Sequence, residues 1–84
     1  MADILYFASL AETLGTKSEQ LELPSECRTV DDLVAMLRTR GEPFAAAFDG
    51  STRILVAINQ EMSEPSAAID PADEIAFFPP VTGS

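Results

Sequence analysis

"TVDDLVAMLRTRG", residues 29–41, is the stretch around which the rest of the chain falls into order. Val30, Leu33, Val34 and Leu37 recur at i, i+3, i+4 and i+7, which is one apolar stripe along an amphipathic helix. Thr29 is placed to cap the first free N–H groups, and Asp31 and Asp32 lie in the first turn, where the helix dipole favours anions. Arg38 and Arg40 fall in the last turn and Gly41 closes it. The two aspartates could be offered as a catalytic or metal-binding pair. Adjacent helical side chains diverge in direction, however, so capping is the role that fits them.

Toward the N-terminus, "EQLELP" alternates Leu21 and Leu23 with Gln20 and Glu22 and predicts a strand over 19–23 with one buried face. "SLAETLG" before it predicts a short helix, with Ser9 and Glu12 as a capping box, Leu10 and Leu14 on one face and Gly15 as the stop. "DILYFA", residues 3–8, opens the domain as a strand. Toward the C-terminus, Phe44 and Phe48 in "FAAAF" predict a short helical segment, and "DGS", 49–51, a turn. "RILVAINQ" carries apolar residues on both faces and reads as an inner strand. "DPADE" is a turn, and "EIAFF", 74–78, is a last strand stopped by Pro79 and Pro80. Strands gathered around one main helix predict an α+β fold, a mixed sheet with that helix packed across it. The element order fits a β-grasp, the ubiquitin-like architecture, over 1–78, with 79–84 as an extended C-terminal tail.

At 84 residues with 46% hydrophobic content, the chain is one domain able to bury a core. It carries 14 acidic residues against 5 basic ones, a formal charge of −9. Phosphate-backbone binding needs Lys/Arg clusters, so nucleic acid is excluded as a partner, and an anionic membrane surface is excluded for the same reason. An acidic surface suits fast association with a basic protein partner, or merely keeps a small protein in solution. No apolar run is long enough to cross a bilayer and "MADILYFASL" lacks a basic leader region, so the expected location is cytoplasmic.

Catalytic side-chain sets are missing. With no histidine, Ser-His-Asp and Cys-His arrangements are impossible, and a His/Cys metal site is equally excluded. Cys27 is the lone cysteine, without a base to activate it, and reads as structural. The 4 glycines, at 15, 41, 50 and 83, make no phosphate loop. What remains is the main-chain terminus. Pro79 and Pro80 favour an extended path, along which Pro79 to Ser84 would span about 18 Å, and Gly83 would let the backbone enter a narrow channel. On the residues alone this segment is an arm or an ordinary frayed end.

"ILYFASLAETLG", "VAINQE" and "DEIAFFPPVTG" together resemble the small subunit of molybdopterin synthase, a family of β-grasp sulfur carriers, over nearly the whole chain. The resemblance implies a non-catalytic carrier that binds no cofactor itself. An activating enzyme of the ubiquitin-activating type uses ATP to adenylate the C-terminal carboxylate, at Gly83 and Ser84 here. Sulfur then displaces AMP, and the thiocarboxylate donates sulfur to a cyclic pyranopterin monophosphate within the large synthase subunit. By position in the matching motifs, Phe7, Met62 and Phe78 are candidates for the docking patch, and Pro79, Pro80, Val81 and Thr82 for the threading tail. Strand alternation sends Phe77 and Phe78 to opposite faces, one to the core and the other to a partner. The family tail ends in Gly-Gly, whereas Ser84 stands last here. An engineered end, an end tolerated by matched partners and a carrier that cannot be charged are the three explanations. Other functions that fit the fold are a sulfur carrier for thiamine or another sulfur pathway, a lysine-attached modifier, and a non-catalytic ubiquitin-like interaction domain.

Overall fold

The computed structural model describes residues 1–50 and 53–79. Eight elements follow in chain order: β1 Ala2–Tyr6, α1 Ala8–Leu14, β2 Ser18–Leu21, α2 Val30–Arg38, α3 Phe44–Ala47, β3 Leu55–Ile58, β4 Glu61–Ser63 and β5 Glu74–Phe78. The strands form one five-stranded sheet in the order β2-β1-β5-β3-β4. The central pair, β1 and β5, is parallel, with Ile4 opposite Ile75 and Tyr6 opposite Phe77. Every other pairing is antiparallel. This is the expected β-grasp, a mixed sheet with the main helix lying over one face.

The stripe on α2 does what its spacing dictates. Val30, Leu33 and Leu37 are buried with Ile4, Tyr6, Val56, Ile75 and Phe77 in a single core, to which α1 adds Leu10 and Leu14. Thr29 and Asp32 form a capping box: the Thr29 hydroxyl accepts from the Asp32 N–H, and the Asp32 carboxylate accepts from the N–H groups of Thr29 and Arg28. Those backbone N–H groups hold the exposed Asp32 carboxyl below its ordinary value. The carbonyls of Pro65 and Ala67 take the N–H groups of Asp31 and Val30, so the 64–73 loop completes the N-terminus of α2.

Four local expectations are corrected. Ser9 is not a cap: α1 begins at Ala8, Phe7 is its N-cap, and no side chain bonds there. The chain turns from strand to helix at Ala8, held at φ +54, so that Ser9 is already helical when a cap would need extended backbone. The second strand is Ser18–Leu21, with Leu23 buried beyond the ladder. The long helix stops at Arg38, which frees Arg40 for a contact with β2. The run expected as one strand to residue 60 ends at Ile58, because Asn59 and Gln60 take positive φ and turn the chain into β4, a strand the sequence pattern did not show. Proline stops β5 as expected, at Phe78; residues 80–84, and with them most of the expected tail, lie outside the described residues.

Candidate functional site

The helices cover one face of the sheet. Strand alternation and register assign Asp3 and Leu5 of β1, Ser18 and Gln20 of β2, Leu55 and Ala57 of β3, Met62 of β4, and Glu74, Ala76 and Phe78 of β5 to the other. Phe77 is buried in the core and Phe78 is half-buried on this open face, so the expected division of the two rings holds. Phe7 follows β1 as Phe78 follows Phe77, and its ring meets Phe78 edge-on at 6.3 Å between centroids. Phe7 is 48% exposed and Met62 60% exposed, and only these and Met1 are exposed large apolar side chains among the described residues. All three candidate docking residues therefore share one face.

The kink at Ala8 places Phe7 there. Its N–H donates to the Phe77 carbonyl at 3.0 Å, extending the β1–β5 pairing by one residue, and its own carbonyl accepts from Leu10 and Ala11 in α1. Phe7 is thus tied to β5 by backbone and to α1 by capping while its ring stays in solvent. Around the sheet edge, Leu5, Phe7, Ala8, Ala11 and the 15–18 loop line an open groove of about 970 Å³. Pro79, half-buried, faces a smaller cleft of about 310 Å³ with Leu10, Thr13, Ala46, Ala47 and Ile54. The other expected tail residues, Pro80, Val81, Thr82, Gly83 and Ser84, lie outside the described residues.

On the helix side, Tyr6 donates to Glu19 Oε2 at 2.8 Å and Arg40 donates to the same oxygen at 2.9 Å. The Arg40 guanidinium also lies 4.9 Å from the centre of the Phe44 ring. Burial alone would raise the Glu19 carboxyl, but the two hydrogen bonds and the Arg40 charge outweigh it and hold Glu19 below its ordinary value. Burial, then the Glu19 bond and charge, push the Tyr6 hydroxyl well above its ordinary value. Both groups act structurally, fastening β1, β2 and the end of α2 together.

Cys27 is buried and unpaired. Burial, with the nearby Asp32 and Glu26 charges, raises its thiol, which opposes thiolate chemistry. Among the described residues no three His, Cys, Asp or Glu side chains are grouped to hold a metal, and no helix is long and apolar enough to cross a membrane. Missed from the sequence were half-buried Leu5 and Leu55 and the nearly covered Ala57 and Ala76, which share the face with the candidate residues, and the register pairing of Asp3 with Glu74 at its end.

The model of the ThiS family matches residues 4–83. The chain is 39% identical over 83 residues to the molybdopterin synthase sulfur carrier subunit of Haemophilus influenzae, covering 99% of each. It is 32% identical to the subunit of the same name in Escherichia coli, again covering 99% of each. The crystal structure of SAMP1 from Haloferax volcanii superposes with a TM-score of 0.74 at 26% identity, covering 99% of this chain and 98% of that one.

Proposed function

The chain belongs to the ThiS family, and we propose from that premise that it is the sulfur carrier subunit of a molybdopterin synthase, loaded at its C-terminal carboxylate. One observation carries the reading: β5, which leads into the C-terminal segment, ends at half-buried Phe78, whose ring meets the exposed Phe7 on the sheet face away from the helices. A carrier without catalytic side chains needs a surface for its partner to grip and a terminus for it to process.

In this reading an activating enzyme joins the carboxylate to AMP from ATP, releasing pyrophosphate, and a sulfur donor displaces AMP to leave a thiocarboxylate. The acyl phosphate activates the carbonyl because AMP is a good leaving group. Phe7, Met62 and Phe78 dock on the large subunit, Pro79 to Thr82 lead into its channel, and Gly83 and Ser84 present the sulfur to a cyclic pyranopterin monophosphate. Two transfers supply the dithiolene sulfurs. With a charge of −9, two copies repel each other, so the patch favours a partner bearing basic residues. The cytoplasm, where ATP is available, is the setting this chemistry requires.

The test is intact-mass measurement after incubation with ATP, a sulfur source and the activating enzyme. Replacement of one oxygen by sulfur is expected, and an unchanged mass for both the parent chain and its Ser84→Gly variant would sink the proposal. Charging of Ser84→Gly alone would locate the defect at Ser84. Phe78→Lys should abolish co-purification with the large subunit while leaving the melting temperature within a few degrees, since Phe78 lies outside the core.

A further inference from the structure

Asp3 and Glu74 are direct register partners on the parallel central pair. Strands in a sheet lie about 4.8 Å apart, and alternation puts both carboxylates on the open face. Like charges directly opposite one another destabilise a sheet. Asp3 accepts a hydrogen bond from Gln20 Nε2 at 3.0 Å, but neither acid has an ion-pair partner among the described residues. No strand position on this face is basic.

The pair also has a fixed place. Glu74 begins β5 and Asp3 is the second residue of β1, whereas Phe7 and Phe78 stand at the opposite end, four residues on, or about 13 Å at the usual strand rise. Half-buried Leu5 and the nearly covered Ala76 lie between them, so acid pair and aromatic pair are two ends of the same sheet face. Lys17 and Arg53 precede β2 and β3 at the aromatic end, while Asp73 and Glu61 lie at the acidic end.

We propose that the docking surface extends down the whole open face, and that the protein partner places a basic side chain between Asp3 and Glu74, about 13 Å behind the mouth of the channel that takes the tail. The inference rests on the sulfur-carrier reading and deepens it by fixing how the partner sits. An apolar patch permits docking in several rotations about its centre. A charge contact at one end selects the rotation in which the tail points into the channel. The repulsion left in the free chain is relieved only when that partner binds.

The experiment uses the full chain and the recombinant large subunit of molybdopterin synthase from the same genome, by titration at low and at physiological salt. The double variant Asp3→Asn/Glu74→Gln should raise Kd about tenfold and flatten the salt dependence. The control Glu26→Gln/Glu64→Gln removes the same charge from exposed loop positions and should stay within about twofold. Melting of the free chain should move the opposite way for the first variant, upward, because repulsion is relieved. An unchanged Kd, an equal loss in the control, or a lower melting temperature in the first variant would overturn the inference while leaving the carrier reading intact. Sedimentation of the parent chain as a dimer that the first variant strengthens would assign the face to a second copy instead. Absence of any binding by the parent chain would remove both readings together.

Discussion

Removing the Glu19 carboxylate should destabilise the domain through the hydroxyl it leaves behind more than through the ion pair it breaks. The Arg40–Glu19 pair is partly exposed, with side chains 33% and 22% accessible, so its share is about 1 kcal/mol or less. Tyr6 is 2% exposed, and its hydroxyl has Glu19 as its hydrogen-bond partner. An orphaned buried hydroxyl costs about 1–3 kcal/mol. Glu19→Ala should therefore cost roughly 2–3 kcal/mol, which for a domain of this size lowers Tm by roughly 10–20 °C. Tyr6→Phe added to Glu19→Ala should recover part of the loss, because the buried hydroxyl is then gone and the Arg40 guanidinium, partly exposed, can turn to water. Differential scanning calorimetry of the two single variants and the double variant gives the coupling directly. A loss under about 0.5 kcal/mol for Glu19→Ala, or no recovery in the double variant, refutes the argument. The pH dependence has a definite sign. The depressed Glu19 value means its contribution is present above the ordinary carboxylate range and is lost as pH falls through the lowered value. The raised Tyr6 value means its contribution is complete below 10.0 and declines as pH rises beyond it. Both declines should vanish in the double variant.

Two backbone positions give further tests. Ala8 sits at φ +54, where an L-residue pays about 1–2 kcal/mol, so Ala8→Gly should leave stability unchanged or raise it, while Ala8→Val should lower the denaturant midpoint sharply. Asn59 holds φ +51, donates to Asp73 and accepts from the Glu74 N–H, joining the β3–β4 turn to the start of β5. Asn59→Gly should cost about 1–2 kcal/mol for lost hydrogen bonds, and Asn59→Ala about 1 kcal/mol more for the backbone; the reverse order in urea titrations would contradict this account.

The parts of the fold readable in the sequence are those set by local periodicity. The α2 stripe, its Thr29 cap and the stop of β5 at proline all depend on neighbours within a few residues, and all appear in the structure. Strand β4 was not readable, because the single polar–apolar–polar step of Glu61, Met62 and Ser63 is too short to mark a strand and the turn before them lacks the glycine such turns usually carry. The Ser9 cap failed for a related reason. The residue pattern of a capping box was present, but the chain turns into the helix straight after the β1–β5 pairing through Phe7, which puts the N-cap two residues before Ser9. The candidate site divides the same way. Opposite facing of Phe77 and Phe78 follows from alternation, whereas the convergence of Phe7 and Met62 on the Phe78 face needs the register of strands far apart in sequence. Met62 belongs there only because an unforeseen strand pairs it with Ala57.

The parallel sense of the central pair is what gathers the candidate site at one end of the sheet. β1 and β5 run in the same direction, so the last residues of both arrive at the same end of the sheet. Had β5 paired with β1 antiparallel, Phe78 would stand beside Ala2 and the C-terminal segment would leave from the far end, away from Phe7. The observed topology instead sets Phe7, placed by the turn into α1, against the residue from which the C-terminal segment departs. In the proposed function, a partner that grips this aromatic pair holds the chain next to Pro79, where the expected tail begins. Docking would then fix the origin of that segment in space. Loss of Phe7 packing should therefore impair partner binding and terminal processing together, even though Phe7 lies more than seventy residues from Ser84 in sequence.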